Sequence, residues 1–320
     1  MILGIECKKI AGAKSAPLFG GKLFATFSEA AQEQASTGCK AADPLTIEID
    51  VARAQQDLYF QSLNQGLPDI AHEKNIQIPG PSGTIPIRLT YPNQSTSLPC
   101  IIFIRGAGWW AGSLDSHART ARTLALLSGC VVCAIDYRRT PEYQYPTQRD
   151  EVLCLISWLQ KNATQLGISE KLALFGESAG ATIALSTALT LRDRLDSSLA
   201  GLALFYTNAG GPKPSARPYS QWVWKQYLGH DGLSQDANAV PLLDNLHGLP
   251  QTWLGVGDDD PLINDTLEVH QKIISSGGKS TLAIYPRLPH AFVMYSGSLQ
   301  PAYDALETAS LALKNFFNHP

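Results

Sequence analysis

The residues that could do chemistry begin with Gly176-Glu177-Ser178-Ala179-Gly180, a serine flanked by small residues. The apolar run Leu172-Ala173-Leu174-Phe175 comes directly before it, and the helix-like stretch Ala181 to Thr190 directly after. That context sets the serine on a sharp strand-to-helix turn. Such a turn requires small residues two before and two after the serine, and it leaves the hydroxyl exposed at the C-terminal end of the strand. The helix N-terminus there also favours a developing negative charge. A glycine-rich turn carrying an incidental serine is the plainer alternative, and the flanking elements weigh against it.

A nucleophilic serine needs an oxyanion site and a base. Downstream of an apolar run ending at Ile104 comes Arg105-Gly106-Ala107-Gly108-Trp109-Trp110. Small residues at Ala107 and Gly108 let backbone N–H groups face a cavity, where they stabilise a tetrahedral oxyanion. The N–H of Ala179 adds a third donor. Alone this would be a generic glycine loop; beside Ser178 it reads as functional.

Serine hydroxyls attack only when a neighbouring base takes their proton. Histidine suits, because it titrates near neutrality. Of the seven histidines, only His290, in Pro289-His290-Ala291-Phe292, lies just past a late strand on a loop, where catalytic groups collect. The carboxylate that orients it should follow the preceding strand, and Asp258, Asp259 and Asp260 all do. Three adjacent carboxylates cannot all face one ion and no histidine is close in sequence, so no metal site is expected. Pro261 fixes the backbone beside Asp260, which favours Asp260, although spacing barely excludes Asp258 and Asp259.

The elements that must hold these groups follow from periodicity. Helices are predicted over about 27–36 and 48–63, then strands at Asn75 to Ile78 and Ile85 to Tyr91 about a Gly80-Pro81-Ser82-Gly83 turn. Strand–helix alternation then runs through Cys100 to Ile104, Cys130 to Asp136, Lys171 to Phe175 and Leu199 to Tyr206. It resumes with strands at Thr252 to Val256 and Ser280 to Tyr285 and closes with a helix over about 300–317. Apolar strands alternating with helices imply an α/β fold, with a parallel sheet covered on both faces. Residues 208 to about 248 interrupt the rhythm with glycine, proline and aromatics, as a functional lid would. Trp109, Trp110, Trp222, Trp224 and Tyr227 are candidate substrate-binding walls, and ordinary core filling accounts for them equally well.

With 320 residues, 44% of them hydrophobic and 17% charged, the chain has the balance of a soluble globular protein. A formal net charge of −3 gives no reason to expect nucleic acid or an anionic membrane as partner. No apolar stretch is long enough for a transmembrane helix, and Met1 to Ile5 runs straight into Glu6, Lys8 and Lys9, so no signal peptide is expected. Cys7, Cys39, Cys100, Cys130, Cys133 and Cys154 form no framework, which suits cytoplasmic thiols. The Cys130-x-x-Cys133 pair sits in an apolar run and reads as two buried thiols on opposite faces of a strand rather than a redox or metal motif.

Several of these segments together resemble the hormone-sensitive-lipase-like family of α/β-hydrolases, and within it the bacterial acetyl esterases. They are Arg105 to Trp109, Asp136-Tyr137-Arg138-Arg139-Thr140-Pro141-Glu142, Gly176 to Gly180, Asp260-Pro261-Leu262 and His290-Ala291-Phe292. The likeness covers about residue 75 to the C-terminus, and more faintly from about 48. It implies the α/β-hydrolase fold: a mostly parallel eight-stranded sheet with helices on both faces and a helical cap. It divides the chain into an extension over 1–45, a cap helix region over 46–74, and a hydrolase domain over 75–320 with a cap insert at about 208–248. It implies a serine carboxylesterase acting on short-chain, acetyl-type esters without a cofactor, with a small-molecule ester as its partner and a homodimer allowed. The family's acid directly precedes Pro-Leu, which selects Asp260; the chain order Ser–Asp–His is also the family's. Two departures stand out. Arg105 replaces the histidine that normally braces the oxyanion loop, and Ala107 replaces a glycine, adding a methyl group that narrows the acyl site. An amidase or deacetylase of a specialised metabolite would use the same triad. A non-catalytic ligand-binding homologue would lack the base, and His290 counts against it.

Overall fold

The computed structural model describes residues 23–64, 66–196, 199–213, 216–230 and 234–319. The expectations for Met1 to Ile5 and for Cys7 lie outside them. The chain begins with two helices, α1 (Phe27–Ser36) and α2 (Ile49–Leu63). Thr26 and Glu29 form a reciprocal capping box that starts α1. The hairpin β1 (His72–Gly80) and β2 (Gly83–Tyr91) follows. Then come β3 (Leu98–Ile104), α3 (Ala118–Ser128), β4 (Val131–Ile135), α4 (Thr147–Leu166), β5 (Ile168–Glu177), α5 (Ala179–Asp193) and β6 (Leu199–Phe205). The insert carries α6 (Pro218–Leu228), and the chain ends with β7 (Thr252–Gly257), α7 (Ile263–Ser275), β8 (Ser280–Tyr285) and α8 (Gln300–Asn318). Helices α3 and α4 stop where Gly129 and Gly167 adopt the left-handed conformation.

One eight-stranded sheet orders these strands as β1-β2-β4-β3-β5-β6-β7-β8. The β1–β2 and β2–β4 pairs are antiparallel, and every pair from β4 to β8 is parallel. This is the α/β-hydrolase fold, as the sequence led us to expect. Its core is two layers cut by the period of two along each strand. Ile102, Ile104, Leu174, Leu202 and Leu204 pack on one face; Ile101, Phe103, Ala173, Phe175 and Phe205 pack on the other. Each such fully buried large side chain contributes about 2 kcal/mol. Cys133 lies in the first layer and Cys130 in the second, and both are buried free thiols, so the C-x-x-C reads as packing. No helix among the described residues is long and apolar enough to cross a membrane.

Because β3, β5, β6, β7 and β8 run parallel, their C-terminal ends open on one edge of the sheet, where ligands of such sheets bind. The insert between β6 and β7 is moored to the body. Asp265, on α7, accepts from the backbone of Ala209 (3.1 Å) and Gly210 (2.7 Å) and pairs with Lys213 at 2.5 Å. Farther along, Arg192 at the end of α5 grips Asp244 with both terminal nitrogens (2.9 and 3.0 Å).

Candidate active site

Ser178 sits between β5 and α5 with φ 52° and ψ −119°. For a residue with a Cβ this is strained by about 1–3 kcal/mol, and the surroundings impose it. Its N–H is held by the Phe205 carbonyl at 3.0 Å, and its own carbonyl receives the N–H of Ala181 at 3.0 Å. The two glycines of the motif have no alternative: a Cβ on Gly180 would overlap the Ile104 and Arg105 carbonyl oxygens, and one on Gly176 would meet the Gly180 carbonyl at 2.7 Å.

The Ser178 Oγ lies 2.9 Å from His290 Nε2. On the other side of the ring, His290 Nδ1 lies 2.9 Å from Asp260 Oδ2 and 3.2 Å from Oδ1. With Nδ1 donating to the carboxylate, Nε2 carries the lone pair that accepts the serine proton. Asp260 is buried, and its Oδ1 also accepts the Leu262 N–H at 2.7 Å. Its two neighbours point elsewhere: Asp258 is exposed and accepts the Arg287 N–H at 2.5 Å, and Asp259 is exposed. The loops bearing acid and base are interlocked. Asp259 N–H donates to the Leu288 carbonyl at 3.3 Å, and a Cβ on Gly257 would overlap that same oxygen.

The loop after β3 runs through three consecutive left-handed residues, Ala107 (φ 76°), Gly108 (φ 60°) and Trp109 (φ 63°). Only glycine adopts that conformation without cost, so the loop is held under strain. Among the described residues, no hydrogen bond occupies the N–H of Ala107, Gly108 or Ala179. Gly106 lies against the serine turn: a Cβ there would stand 3.0 Å from the Glu177 carbonyl and 3.4 Å from the Ser178 Cβ.

Arg105 takes over the bracing of this loop. It is only 2% exposed. Its Nη1 donates to the Ala111 carbonyl at 2.6 Å, and its Nη2 to Asp136 Oδ1 at 3.0 Å and the Tyr137 carbonyl at 3.3 Å. The guanidinium lies over the Tyr137 ring at 4.1 Å, while the Tyr137 hydroxyl donates back to the carbonyls of Arg105 (3.0 Å) and Gly106 (3.1 Å). The planar guanidinium stacks and bonds at once, which a lysine ammonium could not do. Arg53 of α2 adds a second tie, donating to the Trp110 carbonyl at 2.9 Å and the Thr140 carbonyl at 2.7 Å while paired with Glu142.

The five aromatic candidates separate. Trp109, Trp224 and Tyr227 are fully buried and packed on one another, with Trp109 stacked on Tyr227 at 4.2 Å and edge-on to Trp224 at 4.9 Å. These three belong to one buried core, as does Trp110, which is 2% exposed. Trp222 is partly exposed and meets Trp110 edge-on at 6.1 Å. Tyr219, an aromatic of the insert not among these five candidates, accepts from Trp110 Nε1 at 3.0 Å through its hydroxyl and would touch any side chain on Gly108 at 2.7 Å. Sequence reasoning passed over Glu177 and Tyr206. Glu177 occupies a variable position of the serine motif, and Tyr206 ends an ordinary apolar strand, so neither carried a signal before the chain was folded.

Comparison with known proteins places the chain in the α/β-hydrolase fold family. The profile of the family described as alpha/beta hydrolase fold matches residues 101–294. An acetyl esterase of Salmonella choleraesuis is 31% identical over 281 residues, covering 82% of this chain and 86% of the relative. Among solved structures, an ester hydrolase from the metagenome of Lake Arreo is similar with a TM-score of 0.84 at 26% identity, covering 93% of this chain and 100% of the other. A thermophilic, thermostable carboxylesterase from a metagenomic library gives a TM-score of 0.81 at 25% identity, covering 85% and 98%.

Proposed function

Because the chain belongs to the α/β-hydrolase fold family and is related to bacterial acetyl esterases, we propose that it is a serine carboxylesterase of the hormone-sensitive-lipase-like group, acting on short-chain acyl esters. The observation that carries this reading is the continuous relay from Ser178 Oγ through His290 to Asp260, with both links at 2.9 Å.

The steps follow from the chemistry of the groups. His290 Nε2 takes the Ser178 proton as Oγ attacks the ester carbonyl. The N–H groups of Ala107, Gly108 and Ala179 receive the oxyanion, where each donor is worth on the order of 10²–10³ in rate. Asp260 holds the tautomer and stabilises the imidazolium. The imidazolium protonates the departing alkoxide as the ester C–O bond breaks, leaving an acyl-serine. Water, deprotonated by the same imidazole, attacks the acyl-serine; the acyl–Oγ bond breaks, the imidazolium returns the proton to Ser178, and the acid is released. No step calls for a cofactor.

The insert at about 208–248 and the helical region before residue 75 act as a cap over this edge of the sheet. Arg53 and Tyr219, one from each, both bind Trp110. The Ala107 methyl and the crowd of Trp110, Tyr219 and Trp222 favour small acyl groups. A series of p-nitrophenyl esters tests this: acetate to butyrate should turn over fastest, and Ser178→Ala should abolish turnover. A maximum at long fatty acyl esters contradicts the substrate class. Full activity in Ser178→Ala contradicts the mechanism, and faster cleavage of matched amides would make the chain an amidase.

A further inference from the structure

Behind the nucleophile lies a buried acid that these steps leave idle. Glu177, the last residue of β5, is 2% exposed although its backbone is one peptide bond from Ser178. Its Oε2 accepts the Tyr206 hydroxyl at 2.8 Å. Its Oε1 has no hydrogen-bond partner among the described residues and stands 3.3 Å from His117 Nε2. The Tyr206 ring in turn packs edge-on against His290 at 4.8 Å. One side chain thus connects the serine turn, the end of β6 and the base.

We propose that Glu177 is a positioning residue for His290: through Tyr206 it fixes the surface on which the imidazole rests, and in its charged form it supports the imidazolium alongside Asp260. This rests on the serine-esterase reading of the site.

The groups facing Glu177 come from every neighbouring element. Tyr206 approaches from just after β6, His117 from just before α3, Arg105 from just after β3 and His290 from the loop after β8. Tyr137 beside Arg105 and Asp260 beside Tyr206 complete the surroundings. Burial pushes Glu177 up to about 7, with the Tyr206 bond, the Gly106 backbone, His290 and Arg105 each pulling it partly back. Burial and the Arg105 charge push His117 down to about 3. The contact at 3.3 Å is therefore not an ion pair near neutrality, because the imidazole there is uncharged. Glu177 alone gains charge as pH rises through neutrality, and a carboxylate formed there makes His290 a stronger base. At an effective dielectric constant of about 20, a unit charge about 12 Å away changes a neighbour's proton affinity about tenfold, and a nearer one by more.

The rate at which a small fluorophosphonate labels Ser178, followed from pH 5 to 9, reads this directly and needs no knowledge of the substrate. In the unaltered protein the rate should show a step near pH 7 that Glu177 contributes. Glu177→Gln keeps an acceptor for Tyr206 but carries no charge, so that step should vanish and the upper plateau fall about tenfold. Glu177→Asp should restore it. Tyr206→Phe, which keeps the ring against His290 and cuts the bond, should displace that step if Glu177→Gln does not fold. A Glu177→Gln profile, or a Tyr206→Phe profile, identical to that of the unaltered protein overturns the proposal and leaves the triad standing. No label on Ser178 in the unaltered protein overturns both.

Discussion

At the scale of single residues the site is a set of groups held in states they would not choose in water. Ser178 is strained, Asp260 is buried, and Glu177 and His117 sit together with opposite displacements of their proton affinities. Those displacements make stability depend on pH in opposite directions. The folded protein keeps His117 unprotonated down to about 3, whereas an unfolded histidine takes a proton near its ordinary value of 6.5. The unfolded state therefore binds more protons between those limits, and stability is lost as pH falls from 6.5 toward 3. Glu177, raised to about 7 from 4.5, holds its proton longer when folded, so its contribution is full below 4.5 and fades as pH rises to 7. The melting temperature of His117→Asn should thus gain on that of the unaltered protein as pH drops below 6.5. A difference independent of pH would mean that His117 is not held neutral in the fold.

At the scale of elements, the turn before α5 and the loop after β3 form one unit, because Gly106 leaves room for the Ser178 Cβ and Gly180 for the Ile104 carbonyl. Much of this was legible in advance. Glycines two before and two after the serine demanded a sharp turn, and the glycine loop after an apolar run demanded a strand end beside it. What could not be read was how Arg105 would serve in that loop, since its partners, Asp136, Tyr137 and Ala111, meet only after β3 and β4 pair. Arg105→Lys keeps the charge but loses the planar fork and the stacking on Tyr137. Steady-state kinetics should give kcat reduced about tenfold with KM little changed, as loosened oxyanion donors act on the transition state. Unchanged kcat would mean the loop holds its shape without the guanidinium.

At the scale of the whole molecule, the sheet order collects the ends of β5, β7 and β8 on one edge, and that is what brings residues 178, 260 and 290 together. The alternation of apolar strands and helices was enough to foresee the sheet, while the choice of Asp260 over its neighbours drew on the Pro-Leu that follows the acid in the family it resembles. Element ends were less legible: β5 starts at Ile168, ahead of Lys171, because the polar Ser169 and Glu170 interrupt its apolar run and its register with β3 shifts there. The aromatic residues around the insert were least legible, since a tryptophan in a core and one in a pocket wall look alike until packing separates Trp109 and Trp224 from Trp222. The central claim is that this assembly activates one hydroxyl. Peptide mass spectrometry after treatment with a small fluorophosphonate tests it most directly. The account predicts a single phosphonyl adduct, on Ser178, that forms in the unaltered protein and is lost in His290→Ala. An adduct on another residue, or equal labelling of Ser178 without His290, would contradict it.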